Sequence, residues 1–87
     1  MVEVISFVKL GIGKTEEVVA QLKSIPQIKE IDFITGAYDL VIIMEAKDGD
    51  EVHHLYMDHI EKIKGIVSMD SHLIMKRWLC KQEPICK

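Results

Sequence analysis

The sequence predicts one α+β domain in which a four-stranded antiparallel sheet carries two helices on one face. The chain has 87 residues, enough for one hydrophobic core and too few for two. Four segments are rich in β-branched and aromatic residues, and two further segments have apolar residues at helical spacing. We assign residues 1–79 to this domain and residues 80–87 to a C-terminal tail.

The first part of the chain predicts a strand, a helix and a second strand. Residues 2–10 are β-branched and aromatic with polar residues interspersed, which indicates a strand that Gly11 ends. Thr15 supplies an N-cap oxygen for an amphipathic helix that ends at Pro26. Residues 27–35 alternate apolar and polar side chains, which predicts the second strand.

The remainder predicts a hairpin, a second helix and a last strand. The run 38–46 is strongly β-forming, and the short break before it predicts a hairpin. Turn and cap signals at residues 48–50 precede an amphipathic helix that stops at Gly65. Residues 66–79 predict the final strand. The order β-α-β-β-α-β is that of the ferredoxin-like sandwich.

Both faces of the predicted sheet are apolar. A sheet with helices on one side and water on the other should alternate apolar and polar residues. Three strands instead carry apolar residues at both parities: Val2, Val4 and Val8 against Ile5 and Phe7; Leu40, Ile42 and Met44 against Val41 and Ile43; Ile66 and Ile74 against Val67, Met69, Leu73 and Met75. We therefore expect the uncovered face to pack on a second copy of the chain, as a twofold dimer formed through the sheets.

Composition argues against several other classes of protein. The net charge of −3 and the singly scattered lysines provide no basic stripe for a phosphate backbone, so we expect no direct nucleic-acid binding. No apolar run reaches the length of about 20 residues that a membrane span needs, and no signal peptide is evident, which indicates a cytoplasmic protein. Cys80 and Cys86 lie in the tail, where we expect reduced thiols.

The loop between the second and third strands is best suited to bind a ligand. Gly36 is able to adopt a positive φ and present backbone N–H groups, and Asp39 places a carboxylate at the start of a buried strand. The amides would face the carboxylate of a small zwitterion, and Asp39 would accept from its ammonium group. The alternative is a hairpin in which Asp39 only caps local amides.

Two further patterns carry little chemistry. His54 and Asp58 place two potential metal ligands on one helix face, but no third and fourth ligands follow at useful spacing. Residues 11–15 end in the Gly-Lys-Thr triplet of a phosphate-binding loop, but Val8 stands where that motif requires an earlier glycine. We therefore expect no metal site, no cofactor and an ordinary turn into the first helix.

Three spaced motifs together resemble the effector-binding domain of the Lrp/AsnC family of transcription regulators. They are Leu22-Lys23-Ser24-Ile25-Pro26, Thr35-Gly36-Ala37-Tyr38-Asp39-Leu40 and Ile60-Glu61-Lys62-Ile63-Lys64-Gly65-Ile66. The resemblance covers residues 2–76. It implies a ferredoxin-like fold, dimers formed through the sheets, assembly into rings such as octamers, and amino-acid effectors held at subunit contacts.

The resemblance also implies which residues bind the effector. Gly36, Ala37, Tyr38 and Asp39 match the glycine-aspartate loop of the family, which contributes to the effector site. Met69 and Ser71 stand where the family often has two threonines at the start of its last strand. Ser71 keeps a hydroxyl group, whereas Met69 does not.

The family places a helix-turn-helix domain before this one, whereas the present chain begins at the first strand. It therefore resembles a stand-alone module that assembles and senses an effector without binding DNA itself, and full-length regulators of the family are possible partners. One alternative is a small dimeric ferredoxin-like enzyme that uses His59, Asp70 or His72. Another is an assembly partner without a ligand. We favour the regulatory module and expect no catalytic residues.

Overall fold

The structure, a computed structural model, describes residues 1–80. Its main elements follow the predicted order β-α-β-β-α-β, which confirms the fold class. They are β1 (Val2–Leu10), α1 (Thr15–Lys23), β2 (Ile28–Phe33), β3 (Leu40–Ala46), α2 (Gly49–Asp58), a short 3₁₀ helix (Ile60–Lys62) and β4 (Ile66–Leu73).

The four strands form one antiparallel sheet in the order β2-β3-β1-β4. Central strand β1 is hydrogen-bonded to β3 on one side and to β4 on the other. Ser6, at its middle, lies opposite Ile42 of β3 and Ser71 of β4. Because residues directly opposite each other in a sheet share a face, this register determines which side chains meet the helices.

The core lies between the sheet and the two helices. Alternate residues of β1 and β3 point into it, which is the period of a strand with one covered face. The buried apolar residues are Val4, Val8, Leu10, Val18, Leu22, Ile25, Leu40, Ile42, Met44, Ala46, Leu55, Ile60 and Ile63. Each large member contributes roughly 1.5–3 kcal/mol of burial energy, which makes this layer the main source of stability.

Helix α2 begins with a reciprocal cap, as the signals at residues 48–50 predict. The carboxylate of Asp48 accepts a hydrogen bond from the Glu51 amide at 2.9 Å, and the carboxylate of Glu51 accepts one from the Lys47 amide at 2.7 Å. The helix ends at Asp58 and a 3₁₀ helix follows, so the prediction of one helix up to Gly65 is wrong.

Helix α1 begins differently from the prediction. Lys14 occupies the N-cap position and Thr15 is already helical, with no side-chain cap hydrogen bond. The reason is the preceding turn, in which the Lys14 amide donates to the Gly11 carbonyl at 3.2 Å and sets the chain into the helix one residue early. The helix also ends at Lys23, short of the expected Pro26.

The last strand is shorter than predicted and is shifted by a bulge. Ser68 pairs with Lys9 but Ile66 pairs with Leu10, so Val67 is the extra residue. A one-residue bulge reverses the side-chain parity of a strand, so Ile66 and Met69 both lie on the helix side. The expectation that β4 is apolar on both faces is therefore wrong, since its uncovered side carries Ser68, Asp70 and His72.

The end of β4 follows from the length of β1. The Ile74 amide still donates to the Glu3 carbonyl at 2.8 Å, but β1 starts at Val2 and provides no partner for later residues. The predicted strand up to residue 79 therefore stops at Leu73. Cys80 is disulfide-bonded, which corrects the expectation of a reduced thiol there, whereas Cys86 lies outside the described residues.

The face of the sheet opposite the helices has an apolar centre, as predicted for β1 and β3. Ile5 lies opposite Ile43 and Phe7 lies opposite Val41, so the four side chains form one contiguous group, all half-buried. We call this group of four residues the open face. Within residues 1–80, no helix is long and apolar enough to cross a membrane.

Gly65 is the glycine on which the packing of α1 against the start of β4 depends. Its φ is 105°, its carbonyl accepts from the Gly11 amide at 2.8 Å, and an added Cβ would lie 2.9 Å from Cγ2 of Val18. We expect Gly65→Ala to lower the free energy of unfolding by roughly 2–4 kcal/mol, through the left-handed backbone and the clash. Urea denaturation followed by circular dichroism measures this loss.

Gly49→Ala is the matched control, because Gly49 begins α2 with nothing within 4 Å of its added Cβ. We expect this variant to be as stable as the wild type or slightly more stable, since alanine favours helix. Equal stability of the two alanine variants would contradict the packing role of Gly65.

Candidate functional site

The loop between β2 and β3 is held closed by backbone hydrogen bonds. The Ile34 amide donates to the Asp39 carbonyl at 2.9 Å, and the Asp39 amide donates to the Val8 carbonyl at 2.8 Å. Gly36, at the tip, has a φ of 118°, a conformation that L side chains rarely adopt. The loop therefore has the glycine-dependent turn that the sequence predicts.

Asp39 joins this loop to the neighbouring strand. Its Oδ2 accepts a hydrogen bond from the Leu10 amide at 2.8 Å, which is the local capping role considered as the alternative. Among residues 1–80, no donor contacts the other carboxylate oxygen, Oδ1. Asp39 is thus able to hold the loop and still offer one oxygen to a ligand, so its direct role in binding stays a prediction.

The tip of the loop presents unused donors. In the described part of the chain, the amides of Gly36, Ala37 and Tyr38 donate no hydrogen bond to another backbone group. The Lys9 ammonium group lies close by and donates to the Ala37 carbonyl at 3.4 Å. Successive free amides in a turn form a concave site for an anionic group, such as a carboxylate.

The Tyr38 side chain leaves the loop and lies beside the open face. Its ring centroid is 5.7 Å from that of Phe7, and its hydroxyl donates to the carboxylate of Asp70 on β4. This hydrogen bond raises the pKa of Tyr38 above its usual value. His72 adds a second ring contact to Phe7, at 6.1 Å between centroids. Tyr38 therefore connects the loop directly to the uncovered surface of the sheet.

A group of three hydroxyls lies on the opposite, helix-facing side. Ser6 is completely buried within an apolar row of β1, and its Oγ lies 3.0 Å from the Tyr56 hydroxyl and 2.9 Å from Oγ of Ser71. The Tyr56 and Ser71 hydroxyls are also hydrogen-bonded to each other. A buried hydroxyl without a partner would be costly, so the three groups stabilise one another.

Two residues of this hydroxyl triangle, Tyr56 and Ser71, line a cleft between α2, the 3₁₀ helix and β4. The cleft has a volume of about 510 Å³, and its lining residues are Tyr56, Ile60, Glu61, Ile63, Ile66, Met69 and Ser71. It contains two of the predicted site residues, Met69 and Ser71. Residues 36–39 do not line it, so one chain does not bring all the predicted site residues together.

Sequence reasoning missed Tyr56, Glu61 and Ile66 as neighbours of Met69 and Ser71. These residues come from a helix, a 3₁₀ helix and a strand, and Ile66 joins them because the bulge at Val67 turns Ile66 and Met69 to the same side. The available signal is the position of Tyr56 on the apolar face of the second predicted helix.

The residues considered for catalysis do not converge. Asp70 and His72 lie on the uncovered side of the sheet, whereas His59 is exposed at the end of α2. An enzyme whose active site lay between the helices and the sheet would need these three side chains to point into that space. The His54–Asp58 pair is also exposed, with 3.7 Å between Nδ1 of His54 and Oδ2 of Asp58. No group of three or more metal-binding side chains occurs within residues 1–80.

A second cavity, of about 350 Å³, lies at the start of α2 and is lined by Asp48, Asp50, Glu51 and His54 among others. Two of its carboxylates, those of Asp48 and Glu51, already cap the helix. These two carboxylates are therefore already engaged in the local structure of the helix start.

Comparison with known proteins supports the resemblance in the three motifs. The sequence model of a family described as the Lrp/AsnC ligand binding domain matches residues 3–84. The HTH-type transcriptional regulator FL11 of Pyrococcus horikoshii is 32% identical over 69 residues, which are 79% of this chain and 45% of that protein. The chain spans about half the length of such regulators.

A different kind of protein carries a similar segment. Homocitrate synthase of Sulfurisphaera tokodaii is 35% identical over 63 residues, which are 72% of this chain but only 14% of that enzyme. The chain therefore matches a small part of a much longer protein in this case.

Among solved structures, a transcriptional regulator of Neisseria meningitidis in complex with L-Met has the same fold. Its TM-score is 0.84 at 17% identity, and the match covers 93% of this chain and 54% of that one. At this identity the likeness concerns the fold alone. The family match over nearly the whole sequence is the decisive finding, and the chain belongs to the Lrp/AsnC ligand-binding domain family.

Proposed function

We propose that this domain is a regulatory module that self-associates through its sheet and binds an amino acid, or a related small effector, where subunits meet. The observation that carries the proposal is the open face. Its four apolar side chains lie at the centre of the sheet on β1 and β3, and both helices cover the other side.

The surroundings of the open face resemble those of a protein interface. Charged or polar side chains border it on both edge strands, with Glu30 and Asp32 on β2 and Asp70 and His72 on β4. An apolar centre with a polar rim is the usual anatomy of a specific contact between subunits. A second copy of the same face would bury this centre in a twofold contact.

The effector site combines the loop of one subunit with the cleft of another, at a contact other than the open face, because the cleft lies on the helix side of the sheet. In this arrangement the amides of Gly36, Ala37 and Tyr38 bind the carboxylate of the effector, and Oδ1 of Asp39 accepts from its ammonium group. Met69 and Ser71 belong to the cleft that receives the rest of the effector. The separation of loop and cleft within one chain supports a shared site, and the L-Met complex of the Neisseria relative supports an amino acid as effector.

Binding at a subunit contact would couple the effector to assembly. An effector that binds one assembly better than another stabilises the better-binding form by linkage. Full-length regulators of the family are proposed partners, because a similar sheet face would let them form mixed assemblies with this chain. Transcription would then respond to the effector through the composition or size of the assembly.

One observation favours a second function. The match to a segment of homocitrate synthase places a related domain in a metabolic enzyme. In this alternative the module would assemble with an enzyme and report an amino acid to it. Isolation of the chain from its native source, with identification of the bound proteins, discriminates the two: regulators support the first function and an enzyme supports the second.

The open face can be tested by introducing a charge at its centre. We expect Ile43→Lys to convert the assembly to a folded monomer, because burying an ammonium group against an apolar surface is costly. Size-exclusion chromatography with light scattering measures the mass, and circular dichroism checks that the fold is kept.

Ile12→Lys is the control for that experiment. Ile12 is a fully exposed apolar residue in the loop between β1 and α1, away from the open face. This variant should keep the mass of the wild type. If Ile43→Lys also keeps that mass, the subunits do not associate through this face.

The role of Asp39 can be separated from its local capping bond. Asp39→Asn retains a carbonyl oxygen for the Leu10 amide but removes the charge, so we expect a native fold and an affinity for the effector that is about tenfold lower. Asp39→Ala also removes the acceptor, and we expect it to lose roughly 1–2 kcal/mol of stability. Calorimetric titration and thermal unfolding measure the two effects.

Unchanged affinity in Asp39→Asn, together with lower stability in Asp39→Ala, would assign Asp39 to capping alone. That result would remove Asp39 from the proposed binding residues and leave the loop amides as the polar part of the site.

A further inference from the structure

We infer that the cleft beside Met69 selects an amino acid with an apolar side chain, and that Glu61 receives its ammonium group. This inference rests on the proposed function and adds the chemical class of the effector. It is carried by two features of the cleft: the composition of its walls and the hydrogen-bonding state of its hydroxyls.

The walls of the cleft are apolar. Ile60 and Ile63 come from the segment around the 3₁₀ helix and are only 4% and 8% exposed, while Ile66 and Met69 face them from β4. An apolar side chain of the effector that packs between these walls would be removed from water without desolvating a polar group of the walls. The flexible, polarisable side chain of Met69 is able to adapt to ligands of slightly different shape.

The lining offers no positive charge. Of the residues that line the cleft, Glu61 alone is charged, and none is a lysine or an arginine. The carboxylate side chain of an acidic amino acid would be desolvated there beside another carboxylate. The cleft therefore disfavours aspartate and glutamate as effectors.

The hydroxyl triangle makes the polar end of the cleft an acceptor. Ser6, Tyr56 and Ser71 each have one hydroxyl hydrogen, and a closed ring of three hydrogen bonds uses all three. What remains on the hydroxyls of Tyr56 and Ser71 is lone pairs, in a cleft that Glu61 also lines. An ammonium group, which only donates, complements this end, whereas a carboxylate does not.

The orientation of the effector follows from this polarity. Its ammonium group faces Glu61 and those two hydroxyls, its apolar side chain lies along Met69, and its carboxylate points out of the cleft. That direction leaves the carboxylate available to the free loop amides of a neighbouring subunit. The α-ammonium group has three hydrogens, so it is able to contact Glu61 and Asp39 together.

The test compares ligands that differ in one group each, by calorimetric titration of the purified protein. We expect L-leucine and L-methionine to bind and L-glutamate to bind at least about tenfold more weakly, because its side chain lacks a partner in the cleft. 4-Methylpentanoate, which is leucine without its ammonium group, should also bind at least about tenfold more weakly than L-leucine.

Variants assign these effects to residues. Glu61→Gln keeps the shape of the side chain and removes its charge, so the affinity for L-leucine should fall by about tenfold while that for 4-methylpentanoate does not fall. Met69→Thr removes apolar wall and should reduce the preference for L-methionine over L-serine. Glu16→Gln, on the exposed side of α1 and outside the cleft, is the control and should bind as the wild type does.

The outcomes separate this inference from the proposed function. If L-glutamate or L-serine binds as tightly as L-leucine, or if Glu61→Gln is without effect, the inference is wrong but an amino-acid module remains. If none of the twenty amino acids binds and none changes the mass of the assembly, both fail, and an apolar side chain of a second copy would be the better candidate for the cleft.

Discussion

The structure depends on strand β1 being apolar on both of its faces while helices cover only one of them. This central strand is apolar on both sides, with Val4 and Val8 toward the helices and Ile5 and Phe7 away from them. Two helices suffice for one side only. The covered side supplies the core and hence the stability of the domain, whereas the open face keeps the apolar surface on which the proposed subunit contact is based. The proposed self-association is thus a consequence of how the sheet is built.

Residues of the candidate ligand site lie beside both faces of strand β1. Ser6 interrupts the apolar row of β1 on the helix side and completes the hydroxyl triangle of the cleft, while Tyr38 extends from the Gly36 loop onto Phe7 of the open face. A ligand that bound the loop would therefore act on a side chain that borders the proposed contact between subunits. This proximity would couple the proposed ligand binding to the proposed assembly, because one set of contacts would enter both equilibria.

Much of the fold could be predicted from periodicity and turn residues. The order of elements, the capping of α2 by Asp48 and the apolar residues on both sides of β1 and β3 all follow from local patterns. The bulge at Val67 could not be predicted, because it depends on how β4 pairs with β1, and it reversed the expected faces of β4. The cleft was missed because Tyr56, Glu61 and Met69 are far apart in sequence and line it together only in the folded chain.

The uncovered side of the sheet is the feature that would make this chain an assembly-forming module. Sedimentation velocity of the wild-type protein over a wide range of concentrations is a direct test, because the mass of one chain is known to be 10.0 kDa. We expect a species of at least two chains at micromolar concentrations, with a distribution that shifts when an apolar amino acid is added. A single species with the mass of one chain at every concentration, with or without amino acids, would contradict this expectation.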